Sequence, residues 1–424
     1  MFIRIALLAV VLLWTTSAAA QEAPAIKARS RVVTVTDGLH VKKNHWYVMP
    51  ERAPDIYYVE IPLHPHRVTF TTDVESISFD ITFGSRHRFV IKLDDGRDAH
   101  TEVRTEFRSL LSPRRDGREP AGPSTIRFTL GDNDKIYVRG RFNGGPLVDF
   151  QFDLGAGGTI IKKASVPKAN MTFDGTITLT NSDGTNVVPS SSANRLEIAG
   201  LSWTGVHVAV ADNMTHREDG LIGNALFQDK VLEIDYDRMA ILVHDDLPAL
   251  SSAWTRHDMV LDGSVVPFVR GTLSAGGGTR DGWFMLDTGA YTSILNSDRL
   301  SPAGKLAGEL RGLLGPLVGR SHGPALSVGG HTFSETNYSV RRFDGDQSQL
   351  GLLGNDVLKR FNLVVDNRNG AAYFRPNARM TDGFRNPERA LVRGLALAVI
   401  AIAAGWLAWR RRRRAIPPTP AAAR

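Results

Sequence analysis

Cysteine is absent from the 424 residues, which excludes disulfides, thiol nucleophiles and cysteine-ligated metals. A chain of this length can bury a core that needs no covalent staples. The glycine-rich stretch Ala275-Gly276-Gly277-Gly278 has no lysine and hydroxyl residue after it, so it reads as a hairpin loop and not a phosphate cradle. His216, His244, His257, His322 and His331 lack the spacing of metal ligands. The sequence therefore implies neither a metal nor an organic cofactor. Excess charge of one sign is also missing once the two ends are set aside. The formal net charge of +7 is 51 basic minus 44 acidic residues. Six arginines follow Trp409 and Arg4 lies near the start, so the region between carries no net formal charge. The basic balance gives no case for nucleic-acid binding.

Each end has its own pattern. Residues 1–20 combine Arg4, the apolar stretch Ile5 to Trp14 and the small residues Ser17-Ala18-Ala19-Ala20, the layout of a secretory signal peptide. Residues 391–409 form an apolar run broken only by Arg393, followed by Arg410 to Arg414. That length suits one transmembrane helix, and the adjacent basic cluster places residues 410–424 on the cytoplasmic side. The expectation is an exported body held at the bilayer by its C-terminal helix, on the periplasmic or extracellular side.

Between these ends the chain is rich in turn formers and short alternating runs, the composition of β structure. Residues 21–115 read as an N-terminal β region, with strands expected at Arg31–Thr36, Tyr57–Ile61, Ser76–Phe83 and Arg88–Leu93. Leu111 to Ser124, dense in proline, glycine and arginine, reads as a linker. A pattern then occurs twice. Val148-Asp149-Phe150-Gln151-Phe152-Asp153-Leu154-Gly155-Ala156 is followed by Leu221-Ile222-Gly223-Asn224 and the strand Val231–Tyr236. Trp283-Phe284-Met285-Leu286-Asp287-Thr288-Gly289-Ala290 is followed by Leu352-Leu353-Gly354-Asn355 and the strand Phe361–Asp366. Aspartate and glycine stand 70 residues apart in the first copy (223 minus 153) and 67 in the second (354 minus 287).

An apolar strand running into Asp-Thr-Gly presents a carboxylate at a sharp turn, where glycine permits close backbone approach. Two such turns facing each other make a carboxyl pair that shares a proton, one member acting as base on a water and the other as acid. On these residues the chain resembles the pepsin/retropepsin-like aspartic protease superfamily, in a tandem form covering roughly Ile126 to Phe374. The resemblance implies a mainly β protein with two β-barrel-like lobes, at 124–248 and 255–377, facing a cleft. It implies Asp153 and Asp287 as catalytic residues, with Thr288, Gly289, Gly155, Gly223 and Gly354 supporting the loops. It also implies flap hairpins over a peptide or protein substrate, with Asn181-Ser182-Asp183-Gly184 and the Gly312 to Gly323 stretch at the corresponding places. Leu154 departs from the pattern, since it cannot supply the hydroxyl that a threonine would send across to the other lobe. That departure predicts a less rigid Asp153 loop. Three functions follow: an endopeptidase with an Asp153–Asp287 dyad, a peptide-binding module that has lost turnover, and an enzyme formed by two chains through their second lobes. The oligomeric state stays open.

Overall fold

The computed structural model describes residues 23–384 except 38–39, 60–65, 83, 107–110, 116–121, 132–133, 182–183, 213, 215–216, 263–264, 276–277, 301–323, 335–337 and 344–348, together with Ile402 and Trp406. The expected signal peptide and the Gly312 to Gly323 flap lie outside the described residues, as does the expected span apart from Ile402 and Trp406. Among the described residues no helix is long and apolar enough to cross a membrane.

The N-terminal region forms two four-stranded sheets. One runs in the order Ala25–Ala28, Arg86–Leu93, Asp98–Arg104, Asp55–Tyr58, and the other His40–Tyr47, Val32–Asp37, His66–Thr71, Ser76–Ile81. Val32–Asp37 buries every second residue, the period of a strand with one face on a core. That core is aromatic: Phe70 meets Trp46 edge-on at 5.6 Å and Tyr57 at 5.1 Å between ring centroids. It is separate from the core of the following residues. Part of the segment read as a linker is stitched down. Arg114–Arg115 pairs with Leu201 and Ser202, and the Arg115 guanidinium reaches the Asp245 carboxylate at 3.1 Å.

The remainder is a continuous β structure built twice. In the first copy, Val148–Asp153 and Thr159–Lys162 are held apart by Gly220–Gly223, which pairs parallel with the former and antiparallel with the latter. The second copy repeats this arrangement, with Gln349–Leu353 parallel to Gly278–Leu286 and antiparallel to Ile294–Asn296. Each inserted strand delivers its glycine beside the aspartate that ends its neighbour. Asp153 sits opposite Gly223, and the Asp287 N–H donates to the Leu353 carbonyl at 3.0 Å. Hydrophobic side chains lock these strands from behind; Phe152 and Trp203 both contact Phe227 edge-on.

A six-stranded antiparallel sheet joins the copies. Its order is Ser124–Leu130, Ala240–His244, Val231–Asp235, Phe361–Asp366, Ala371–Pro376, Thr255–Asp262. The central seam, with Leu232 opposite Val365 and Ile234 opposite Leu363, relates the halves by a pseudo-twofold. Phe361–Asp366 is buried at every position, which explains its near-continuous apolar sequence, because covered strands need not alternate. Over the first copy, Gly175–Asn181 pairs with Gly184–Ile198 in a hairpin whose register closes at Asn181–Gly184. Val187 on this hairpin is 71% exposed.

Beyond the last strand the chain folds back over Arg360, which is buried. Its Nη1 donates to the carbonyls of Met380 (3.0 Å) and Asp382 (2.5 Å), its Nε donates to the Asp356 carbonyl (2.8 Å), and the Phe384 ring lies 3.9 Å from the guanidinium carbon.

Candidate active site

The two copies bring Asp153 and Asp287 together at the pseudo-twofold. The two carboxyl groups face each other, and the Gly289 N–H lies between them, 3.2 Å from Asp153 Oδ1 and 2.9 Å from Asp287 Oδ1. Each aspartate opens the same turn, closed by a backbone bond of 3.2 Å from Ala156 N–H to the Asp153 carbonyl and from Ala290 N–H to the Asp287 carbonyl. The glycines are required by proximity. A Cβ on Gly155 would stand 2.8 Å from the Asp287 carboxyl carbon, and one on Gly289 would collide with the Asp153 carboxylate. Gly223 and Gly354 press on the backbone of Ala156 and Thr292 in their own copies, leaving no room for a side chain.

The carboxylates are not equivalent. Asp287 Oδ1 accepts from the N–H groups of Gly289 (2.9 Å) and Ala290 (2.8 Å). Asp153 Oδ1 accepts from Gly155 N–H (2.8 Å) and, across the seam, from Gly289 N–H at 3.2 Å. Burial pushes both acids above the usual carboxylate range, Asp153 well above it, and the Asp287 charge raises Asp153 further. Two short bonds from its own loop suit Asp287 to be the ionised member.

Thr288 is fully buried and supplies the cross-lobe lock. Its hydroxyl accepts from Leu154 N–H at 2.9 Å and donates to the Phe152 carbonyl at 3.0 Å. This corrects the expectation for Leu154. The Asp153 loop is the one tied down, because the hydroxyl that holds it comes from the other copy. Leu154 is itself buried in the core and returns no hydroxyl to the second loop. That loop is held from within its own copy: Asn355 Nδ2 donates to the Thr288 carbonyl at 2.6 Å, and Asn355 N–H donates to the Ala290 carbonyl at 2.9 Å.

Sequence reasoning missed several residues beneath the dyad. Asn224 and Asn367 exchange amide hydrogen bonds of 2.9 and 3.0 Å across the seam, while Tyr236 OH donates to Asn355 Oδ1 at 3.2 Å. These pairs are pseudo-symmetric, each linking a Gly-Asn loop to the residue after the opposite seam strand. The signal was the asparagine repeated after Gly223 and Gly354. Asp356 was also missed. Its Oδ1 accepts from Ser293 N–H (2.9 Å) and Ser293 Oγ (2.7 Å), and burial pushes this acid up to about 7. A cavity of about 360 Å³ lies elsewhere on the second copy, among His257, Arg270, Asp281, Ser327 and His331. No dyad residue lines it, and His257 accepts from the Gly329 N–H at 3.1 Å, so this cavity stands apart from the carboxyl pair.

Comparison with known proteins places a family at this site. The sequence model of the family described as "Aspartyl protease" matches residues 138–226, which contain Asp153 and Gly223. Among solved structures, an aspartic proteinase from Irpex lacteus matches at 12% sequence identity and a TM-score of 0.45, covering 62% of this chain and 100% of that one. No curated protein sequence matches the chain significantly.

Proposed function

We propose, from the premise that this chain is a protein of the aspartic protease superfamily, that it is an endopeptidase whose nucleophile is a water held between Asp153 and Asp287. The observation that carries this reading is the facing carboxyl pair, one member from each copy of a single chain, with the Gly289 N–H shared between Asp153 Oδ1 and Asp287 Oδ1. In this mechanism ionised Asp287 takes a proton from the water as its oxygen attacks the peptide carbonyl carbon. Asp153 donates its proton to the carbonyl oxygen, giving a neutral tetrahedral diol. The diol collapses as Asp153 recovers a proton and Asp287 passes one to the leaving amine. General acid–base help of this kind contributes about 10²–10⁴ in rate. The lobes are read as residues 124–248 and 255–377, with an extended peptide lying between them beneath the Gly175–Ile198 hairpin.

The same reading places the body outside the cytoplasmic membrane, led by residues 1–20 and anchored by 391–409, with 410–424 inside. It is supported by the apolar run and its arginine cluster. The pairing of Asp153 with Asp287 favours a one-chain dyad over a symmetric dyad from two chains. The test is cleavage of a mixed peptide library by the purified full-length protein in detergent, from acidic to neutral pH. Cleavage that survives Asp287→Asn rejects the mechanism, and peptide binding without cleavage by the wild type identifies a binding module instead. Resistance of the membrane-bound protein to alkaline carbonate extraction tests the anchor.

A further inference from the structure

We propose that Lys135 is a positioning residue for the dyad: Gln151 seats its ammonium on the strand face that also carries Asp153, so that its positive charge is directed toward the carboxyl pair. The proposal rests on the hydrolytic reading above. The geometry begins with register. Tyr137 lies opposite Gln151 and Ile136 opposite Phe152, where the antiparallel ladder ends; Lys135 and Asp153 are the next residues on the two segments, and continuing the register would set them opposite each other. Opposed residues share a face with Cβ atoms about 5 Å apart. Gln151 and Asp153, two positions apart on one strand, share that face as well. The side chains agree, since Lys135 Nζ donates to Gln151 Oε1 at 3.2 Å and Gln151 is 4% exposed.

The neighbouring charges have other attachments. Asp134 carries an ion pair to Lys359 from the second copy. Further along the same face, Tyr137 OH donates to Glu218 at 3.3 Å and the Arg217 guanidinium lies 4.1 Å from the Tyr137 ring centre. Burial is what chiefly raises both dyad acids; the Lys135 charge opposes it as the smallest of the named influences on each. Its loss therefore raises both. A dyad working with one proton then works at higher pH.

The test compares Lys135→Met, Lys135→Arg and Gln151→Leu in the full chain, using kcat/KM against pH on a peptide the wild type cleaves. Lys135→Met should move both limbs of the bell to higher pH, with several-fold loss on the acid side and gain on the alkaline side. Lys135→Arg should restore the wild-type limbs, and Gln151→Leu should move them the same way by less. Limbs that stay put while the whole curve drops would overturn the proposal. Melting temperature against pH supplies a readout without turnover. Stability conferred by acids with raised folded pKa values is full below the unfolded pKa and lost as pH rises through the folded ones, so the fall should extend to higher pH in Lys135→Met. A protein that cleaves nothing but shows this displacement loses the hydrolytic reading and keeps the placement of Lys135. One that cleaves with unmoved limbs does the reverse. If Lys135→Met does not fold, Gln151→Leu decides by the same two measurements.

Discussion

The two copies share a backbone and divide the work of holding it. The first contributes Asp153 on a loop that has its own Gly155 N–H bond but is secured also from outside, by the Thr288 hydroxyl and the Gly289 N–H. The second contributes Asp287 on a loop secured from inside, by Gly289, Ala290 and the Asn355 amide. A symmetric pair would spread these bonds evenly. Here the copy with the complete Asp-Thr-Gly turn anchors both loops, while the copy with leucine in place of threonine is anchored. The lesson is that a substitution in one repeat is felt in the other, because the lost side chain would have served its neighbour.

Breaking the dyad is the strongest test of this division. Asp287→Asn and Asp153→Asn should each lower kcat by about 10²–10⁴ if base and acid are both required; tolerance of the Asp153 change alone would assign the chemistry to the second copy. The wild-type profile of kcat/KM against pH should be a bell lying above the ordinary carboxylate range, since burial raises both acids. Its rising limb belongs to loss of the first proton from the pair, and its falling limb to loss of the shared one. Thr288→Val keeps the shape but removes two buried hydrogen bonds, a loss of roughly 2–3 kcal/mol in unfolding free energy. The effect should appear in chemical denaturation as a lower midpoint at unchanged slope.

Asp356 sharpens the comparison at the next position, which in the first copy is Ala225. Its folded pKa of about 7 lies above the ordinary value near 3.8, so it favours the fold below that ordinary value and stops doing so as pH rises through about 7. Asp356→Asn should flatten the decline in melting temperature between weakly acidic and neutral pH. The last comparison is Leu154→Thr. A hydroxyl there would mirror Thr288, but it replaces a fully buried leucine; truncation at such a site costs about 2–5 kcal/mol, more than the roughly 1 kcal/mol that one hydrogen bond returns. A lower denaturation midpoint is expected. A large stabilisation would mean that the second loop was waiting for the missing bond.

Much of this was legible in the sequence because it is local and repeated. Apolar strand, aspartate, small turn and inserted Leu-Gly strand each depend on neighbouring residues, so their patterns survive in one dimension. The N-terminal strand expected at Ser76–Phe83 is observed as Ser76–Ile81, and Arg88–Leu93 as Arg86–Leu93. The direction of the Thr288 bonds was not legible, since it depends on how two loops 134 residues apart face each other. Lys135 was hidden for a related reason: it stands 16 residues before Gln151 and reaches that side chain only because the two strands run antiparallel. Asn367 and Tyr236 look unrelated as residue types, yet occupy matching places across the seam.

The strap around Arg360 has a mechanical consequence. Three backbone carbonyls between Asp356 and Asp382 converge on one buried guanidinium, and the chain continues from Phe384 toward its C-terminal apolar run. A pull entering along that continuation would load this fastener before it could peel Ala371–Pro376 from Phe361–Asp366. Part of the load would run on through Asp356 to Ser293, a few residues from the Asp287 turn. Arg360 sits where a strain relief would be tied, the knot that keeps a pulled cord from disturbing the connection inside.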